Sequence, residues 1–180
     1  MFGAIALLLG GPTASAGDYK FDAGQARCVD EDGRAGFNPG TGECGTLRGW
    51  FDGLDLSSLS MIAADLRKAH LQDALMRAVD LAHGTLTGAD LRRADLRYAA
   101  LSDTNFQNAQ LQAADLSWSD LSRADLRGAD LRGTLLYGAT LVDADLRGAR
   151  VGLTNLAGAD LRGARLPEAF EDGALVNHWP

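Results

Sequence analysis

The chain has 180 residues and is 46% hydrophobic, enough for one cored domain with room for a small appendage. It carries 17 Lys and Arg against 24 Asp and Glu, a net charge of −7, which excludes the basic footprint of a nucleic-acid binder. The charge is uneven: residues 51–166 hold 15 Asp, no Glu and 13 Lys and Arg, a balance of −2, so the remaining acid excess sits in the flanks.

Residues 1–16 have the pattern of a secretory signal. Phe2-Gly3-Ala4-Ile5-Ala6-Leu7-Leu8-Leu9 is a short apolar run, Gly10-Gly11-Pro12 breaks it, and Ala14-Ser15-Ala16 fits the small-residue cleavage rule. Cleavage would make Gly17 the first mature residue. No Lys or Arg precedes the run, as it would if the true start lay upstream of Met1. The run is far short of the roughly 20 residues that cross a bilayer, so no stable membrane insertion is expected. Gln25-Ala26-Arg27-Cys28 is not a lipidation motif.

Residues 17–50 contain eight glycines and both cysteines. Cys28 and Cys44 enclose 15 residues rich in turn formers, among them Gly33, Gly36 and Asn38-Pro39-Gly40. In an exported chain two cysteines suggest one disulfide, Cys28–Cys44, which in the chain-entropy account stabilises by about 3 kcal/mol. The segment is too small to fold alone and is expected to be a stapled cap or arm on the N-terminal side of residue 51. Asp30-Glu31-Asp32-Gly33 lacks the spacing and late bidentate Glu of a calcium loop, and no His lies near the cysteines, so no metal site is expected.

From Phe51 a five-residue period runs to Leu166 without a slip, and all 24 positions in this phase are apolar. Neither an α-helix nor a strand keeps every fifth residue on one face, so the chain must turn every five residues. That demands a solenoid with one continuous core. With the leucine as position i, position i−2 is small (Ala89, Ala94, Ala114, Ala124) and is expected to face inward with it. Position i−1 is mostly Asp, i+1 is often Arg, and i+2 becomes Gly late in the array (Gly128, Gly133, Gly138, Gly148, Gly158, Gly163), as a turn corner favours. Leu54 and Leu59 are large for an inner i−2 position. Met61–His83 lacks Gly and Pro and has a helical composition over part of its length; the unbroken phase instead favours early, irregular coils.

Ala89-Asp90-Leu91, Ala94-Asp95-Leu96, Ala124-Asp125-Leu126-Arg127-Gly128 and Ala129-Asp130-Leu131-Arg132-Gly133 resemble pentapeptide repeat proteins. The resemblance implies an all-β solenoid, a right-handed quadrilateral parallel β-helix with twenty residues per coil. Residues 51–166 would then make about five to six coils, a stack roughly 25–30 Å long at the strand spacing of about 4.8 Å. Pro167 ends the array, and residues 167–180 are expected to be a C-terminal cap, with Trp179 near its end.

No nucleophile, P-loop or dinucleotide motif is present, and the three histidines, His70, His83 and His178, lie in no ligand or catalytic pattern. The aspartate rows follow from the repeat, with arginines two residues away to neutralise them, so neither catalysis nor a cofactor is expected. One side departs from the pattern. With twenty residues per coil Tyr98 and Trp118 are neighbours at i+2, Leu75 and Leu135 stand where Asp is usual, and Tyr137 takes i+1 on that side, with Asp95, Arg97 and Asp115 among them. These five form a candidate recognition patch; the alternative is that Tyr98 and Trp118 merely stack on each other at a corner. The column Asp103, Arg123, Asp143 reads as a structural charge ladder. The expected function is an exported, non-enzymatic rigid binding or scaffold module, periplasmic or extracellular, for a protein, peptide or glycan and not for nucleic acid, with a homodimer through an end coil possible. The alternative implied by the resemblance is a cytoplasmic DNA mimic that binds a type II topoisomerase. Against it stand the apparent signal, the expected disulfide and the near-neutral array.

Overall fold

The computed structural model describes residues 20–22, 27–29 and 51–168. The expected signal peptide, the Cys28–Cys44 pairing, Trp179 and His178 lie outside the described residues and side chains. Lys20–Asp22 (β1) and Arg27–Val29 (β2) pair antiparallel, with Phe21 opposite Cys28.

From Phe51 onward the chain coils with a strict twenty-residue register. Asp55 bridges Leu75 in parallel, Leu75 bridges Asp95, and so on to Asp145 and Arg165. Each coil has four sides, and each side contributes one bridging residue, at i−1. The sides are identified by those residues. The first side carries Asp55, Leu75, Asp95, Asp115, Leu135 and Asn155; the second Ser60, Asp80, Ala100, Asp120, Thr140 and Asp160; the third Asp65 to Arg165; the fourth His70 to Arg150. Met61–His83 follows the same register with no helix, as the unbroken phase favoured.

One repeat accounts for all of its backbone donors. Leu121 N–H donates to Thr140 C=O (2.7 Å) and Arg123 N–H to Val142 C=O (2.8 Å) in the next coil, while Asp120 N–H donates to Ala99 C=O (3.0 Å) in the preceding one. Ala124 N–H closes a turn onto Leu121 C=O (3.0 Å). The remaining donor, Ser122 N–H, goes to Asp120 Oδ1 (2.9 Å). The aspartate at i−1 therefore accepts the one N–H that the ladders and turn leave over, and this explains its recurrence better than surface charge does. The turn residue at i+2 has positive φ throughout, from Gly53 (69°) to Gly163 (71°), which is the mark of a type II turn.

The leucines at i and the small residues at i−2 fill the core. Leu71, Leu81, Leu91, Leu101, Leu111 and Leu121 are wholly buried, as are Ala74, Ala94, Ala114 and Ala144. Leu54 and Leu59, large for their position, fit because they stand in the first coil, where they are partly buried against the core. Thr104, Thr134 and Thr154 replace alanine inside and donate their hydroxyls to the carbonyls of Leu81 (2.9 Å), Leu111 (2.7 Å) and Leu131 (2.6 Å), which removes the cost of burying them.

Candidate functional site

The charged rows are built first by local geometry. In Asp65/Arg67, Asp90/Arg92, Asp95/Arg97, Asp125/Arg127, Asp130/Arg132, Asp145/Arg147 and Asp160/Arg162 the guanidinium forks the carboxylate two residues back, at 2.6 or 2.7 Å through its Nη2. A second set of pairs ties successive coils: Arg93 to Asp73, Arg123 to Asp103 and Arg150 to Asp130. Arg97 and Arg77 both donate to Asp95, and their hydrogen bonds, Arg97's foremost, pull its carboxyl down to about 2. Arg127 and then Gln107 do the same for Asp125, also to about 2. Such carboxylates stay ionised at neutral pH and are poor proton donors or acceptors. The Asp103, Arg123, Asp143 column is a ladder at its upper step, and His83 Nδ1 lies 3.8 Å from Asp103. Among the described residues no His, Cys, Asp and Glu group has the geometry to hold a metal ion, and no helix is long and apolar enough to cross a membrane.

The structure places all five patch residues on the outside of the first side or its corner with the second. Leu75, Tyr98, Trp118, Leu135 and Tyr137 are all exposed, Tyr98 most of all at 62% and Trp118 at 51%. Leu75 and Leu135 sit in the ladder position and give up the aspartate's bond to the spare N–H. The alternative arrangement, Tyr98 stacked on Trp118, is not the one found among the described residues. The indole instead stands perpendicular to the Tyr137 ring, with centroids 5.2 Å apart and planes at 88°. The reason lies one coil on, at Gly138. A β-carbon there would stand 2.6 Å from Cε3 and Cζ3 of Trp118, so the missing side chain lets the indole lie down over the next coil, away from Tyr98.

Two exposed apolar residues escaped the sequence reading: Ile62, at the first turn of the second side, and Leu153, 71% exposed on the fourth. Each occupies a turn position, where the period predicts exposure whatever the residue; scanning i+1 and i+2 for large apolar side chains would have found them. They stand apart from the patch and from each other.

The sequence profile described as pentapeptide repeats matches eight copies, in overlapping segments spanning residues 60–97, 74–112, 89–128 and 109–152. The chain belongs to the pentapeptide repeat family. Its four-sided coil is thus the family's right-handed quadrilateral β-helix. Among solved structures, this pentapeptide repeat protein is similar to one from the Arabidopsis thaliana thylakoid lumen, at 28% identity over 72% of this chain and 73% of that one, with a TM-score of 0.40. It is similar to a pentapeptide repeat protein of Nostoc PCC 7120, at 38% identity over 62% of this chain and 77% of that one, with a TM-score of 0.39. A third, HetL from Nostoc sp. strain PCC 7120, involved in heterocyst differentiation regulation, shares 26% identity over 73% of this chain and 90% of its own, with a TM-score of 0.41. No curated protein matches the chain.

Proposed function

We propose that this pentapeptide repeat protein is an exported, non-enzymatic binding module, working in a bacterial periplasm or outside the cell. Its rigid rod presents the first side to a protein, peptide or glycan partner. One observation carries the reading. Of the seven large hydrophobic residues exposed on the solenoid, five (Leu75, Tyr98, Trp118, Leu135 and Tyr137) share that side and its corner. Exposed aromatics gathered among charges are the usual composition of recognition surfaces. The arginine-bound aspartates and the side-chain-filled core argue against catalysis, which needs acids poised near neutrality and a concave site.

Affinity capture from a periplasmic extract tests this, with the full chain as bait and Trp118→Ala as control. A partner retained by the parent and lost by the variant, with both equally folded, is the expected result; identical capture would remove the patch from the function. Mass spectrometry of the mature N-terminus checks export. Gly17 as the first residue is expected, and Met1 retained on a cytosolic protein would overturn that half of the reading.

A further inference from the structure

The arginine fork that neutralises the aspartates fails at four places in the array. Asp55, Asp80, Asp115 and Asp120 are followed two residues later by Ser57, Ala82, Ser117 and Ser122 instead of arginine. Two of these stand in consecutive repeats, and they bracket Trp118: Asp115-Leu116-Ser117-Trp118-Ser119-Asp120-Leu121-Ser122. Asp115 is the bridging residue of the first side and Asp120 that of the second, so the exposed indole occupies the corner with a carboxylate on each flank.

Both carboxylates keep their structural bond, and in each the second oxygen accepts no hydrogen bond among the described residues. Asp115 Oδ1 accepts Ser117 N–H (2.9 Å), and the nearest cation to its other oxygen is Arg97 Nε at 3.6 Å, a nitrogen already donating to Asp95. Asp120 Oδ1 accepts the N–H and the hydroxyl of Ser122, and among the described residues its Oδ2 has no hydrogen-bond or ion-pair partner. The coils on either side of Asp120 place the small Ala100 and Thr140 in the bridge, and Arg123, whose charge is felt at Asp120, is forked onto Asp103. Over the same corner Gly138 lets the indole lie flat, and Tyr98 adds a second exposed ring one coil back.

The geometry points to a basic peptide segment as the occupant of this corner, with an arginine or lysine side chain laid on the Trp118 ring and its charge shared by Asp115 and Asp120. An exposed indole face attracts a cation through its quadrupole, and two carboxylates without an arginine fork at its edges favour the same ligand. An apolar peptide would gain from the rings but nothing from the missing arginines, and a neutral glycan could donate its hydroxyls to the carboxylates but would leave their charge uncompensated. The assignment rests on the proposed binding role and narrows it to one partner chemistry.

The test uses the full chain and fluorescein-labelled octa-arginine, read by fluorescence anisotropy at low and moderate salt, with octa-glutamate as the negative control. Asp→Asn variants keep the Oδ1 acceptor, so the fold survives them. The double variant Asp115→Asn/Asp120→Asn is expected to weaken octa-arginine binding by about tenfold, and Trp118→Ala by a similar factor, with Trp118→Phe recovering part of the loss. The matched double variant Asp55→Asn/Asp80→Asn removes the same charge from the other two arginine-free repeats and is expected to stay within about twofold of the parent. Equal weakening by the two pairs, or no binding of octa-arginine by the parent, overturns the assignment. A neutral peptide or oligosaccharide that Trp118→Ala loses while Asp115→Asn/Asp120→Asn holds it would overturn the cationic partner and leave the binding role intact. If no ligand of any of these classes depends on Trp118, both fall.

Discussion

At the scale of single residues, the aspartate at i−1 decides the repeat's chemistry. Its first task is to accept the spare N–H of residue i+1, seen from Asp55 with Ser57 (3.0 Å) to Asp160 with Arg162 (3.2 Å). Its second is to receive an arginine fork. Both hold its proton affinity down, and at Asp95 and Asp125 the carboxyl falls from an ordinary 3.8 to about 2. A carboxyl depressed on folding contributes stability that is complete above its unfolded value and disappears as pH falls through the folded one. Melting temperature should therefore be flat from neutrality to about pH 4 and decline between about 4 and 2. The side chains remain partly open to water, so each pair contributes less than about 1 kcal/mol. In the double variant Asp95→Asn/Asp125→Asn the amide keeps the N–H bond and loses the titration. Its melting temperature at neutral pH should be slightly lower and its acid decline shallower, measured by circular dichroism melts across that range. An acid decline identical to the parent's would show that other groups set it.

At the scale of the element, the five-residue turn forces one residue per repeat into the left-handed region, and glycine is not always there to take it. Arg93, Tyr98, Asp103, Trp118 and Arg123 all have φ near 60°. Such a conformation costs a residue with a β-carbon about 1–2 kcal/mol. Glycine at the same corner in Gly138 and Gly158 shows that the fold accepts the cheaper residue. Residues with a β-carbon such as Ala63, Lys68, Ala78 and Ala113 hold the same conformation, so the coil bears this cost repeatedly and Tyr98 is one instance of it. Tyr98→Gly is thus expected to leave stability unchanged or to raise it by up to about 1 kcal/mol, the relieved strain being offset in part by glycine's greater chain entropy. Urea denaturation measures this; a loss of more than about 1 kcal/mol would make the ring a structural element of the corner. Much of this element was legible in the sequence. The period, the inward Ala and Leu pair, the glycine column and the neighbouring of Tyr98 and Trp118 all come from spacing, because spacing fixes which residues share a side. The course of the indole was not legible, since it depends on free space over Gly138, which a period does not report. The spare N–H was also hidden: its partner is identified only when every donor of the repeat has been assigned.

At the scale of the whole molecule, the coils share one core with no internal boundary. Each is bonded to the coil before and the coil after, through carbonyls of bridging and inward residues alike, as Leu111 N–H to Asp130 C=O (2.9 Å) and Gln110 N–H to Ala89 C=O (2.9 Å) illustrate. In such a stack the stability of one coil depends chiefly on its neighbours. A coil that opens in the middle exposes core on two sides and breaks two ladders, whereas an array of only five to six coils is short enough for the interfaces to keep it cooperative. Leu111 is wholly buried in the middle of the fourth side, among leucines one coil above and below. Leu111→Ala should remove about 2–5 kcal/mol, the transfer free energy of the lost atoms plus the cavity left among neighbours tied by backbone ladders. The dependence of unfolding free energy on denaturant should keep its slope, because the same surface is exposed when the whole stack unfolds at once. A reduced slope or a second transition in the variant would mean that the coils on either side of Leu111 separate into independent units, and would contradict the single core.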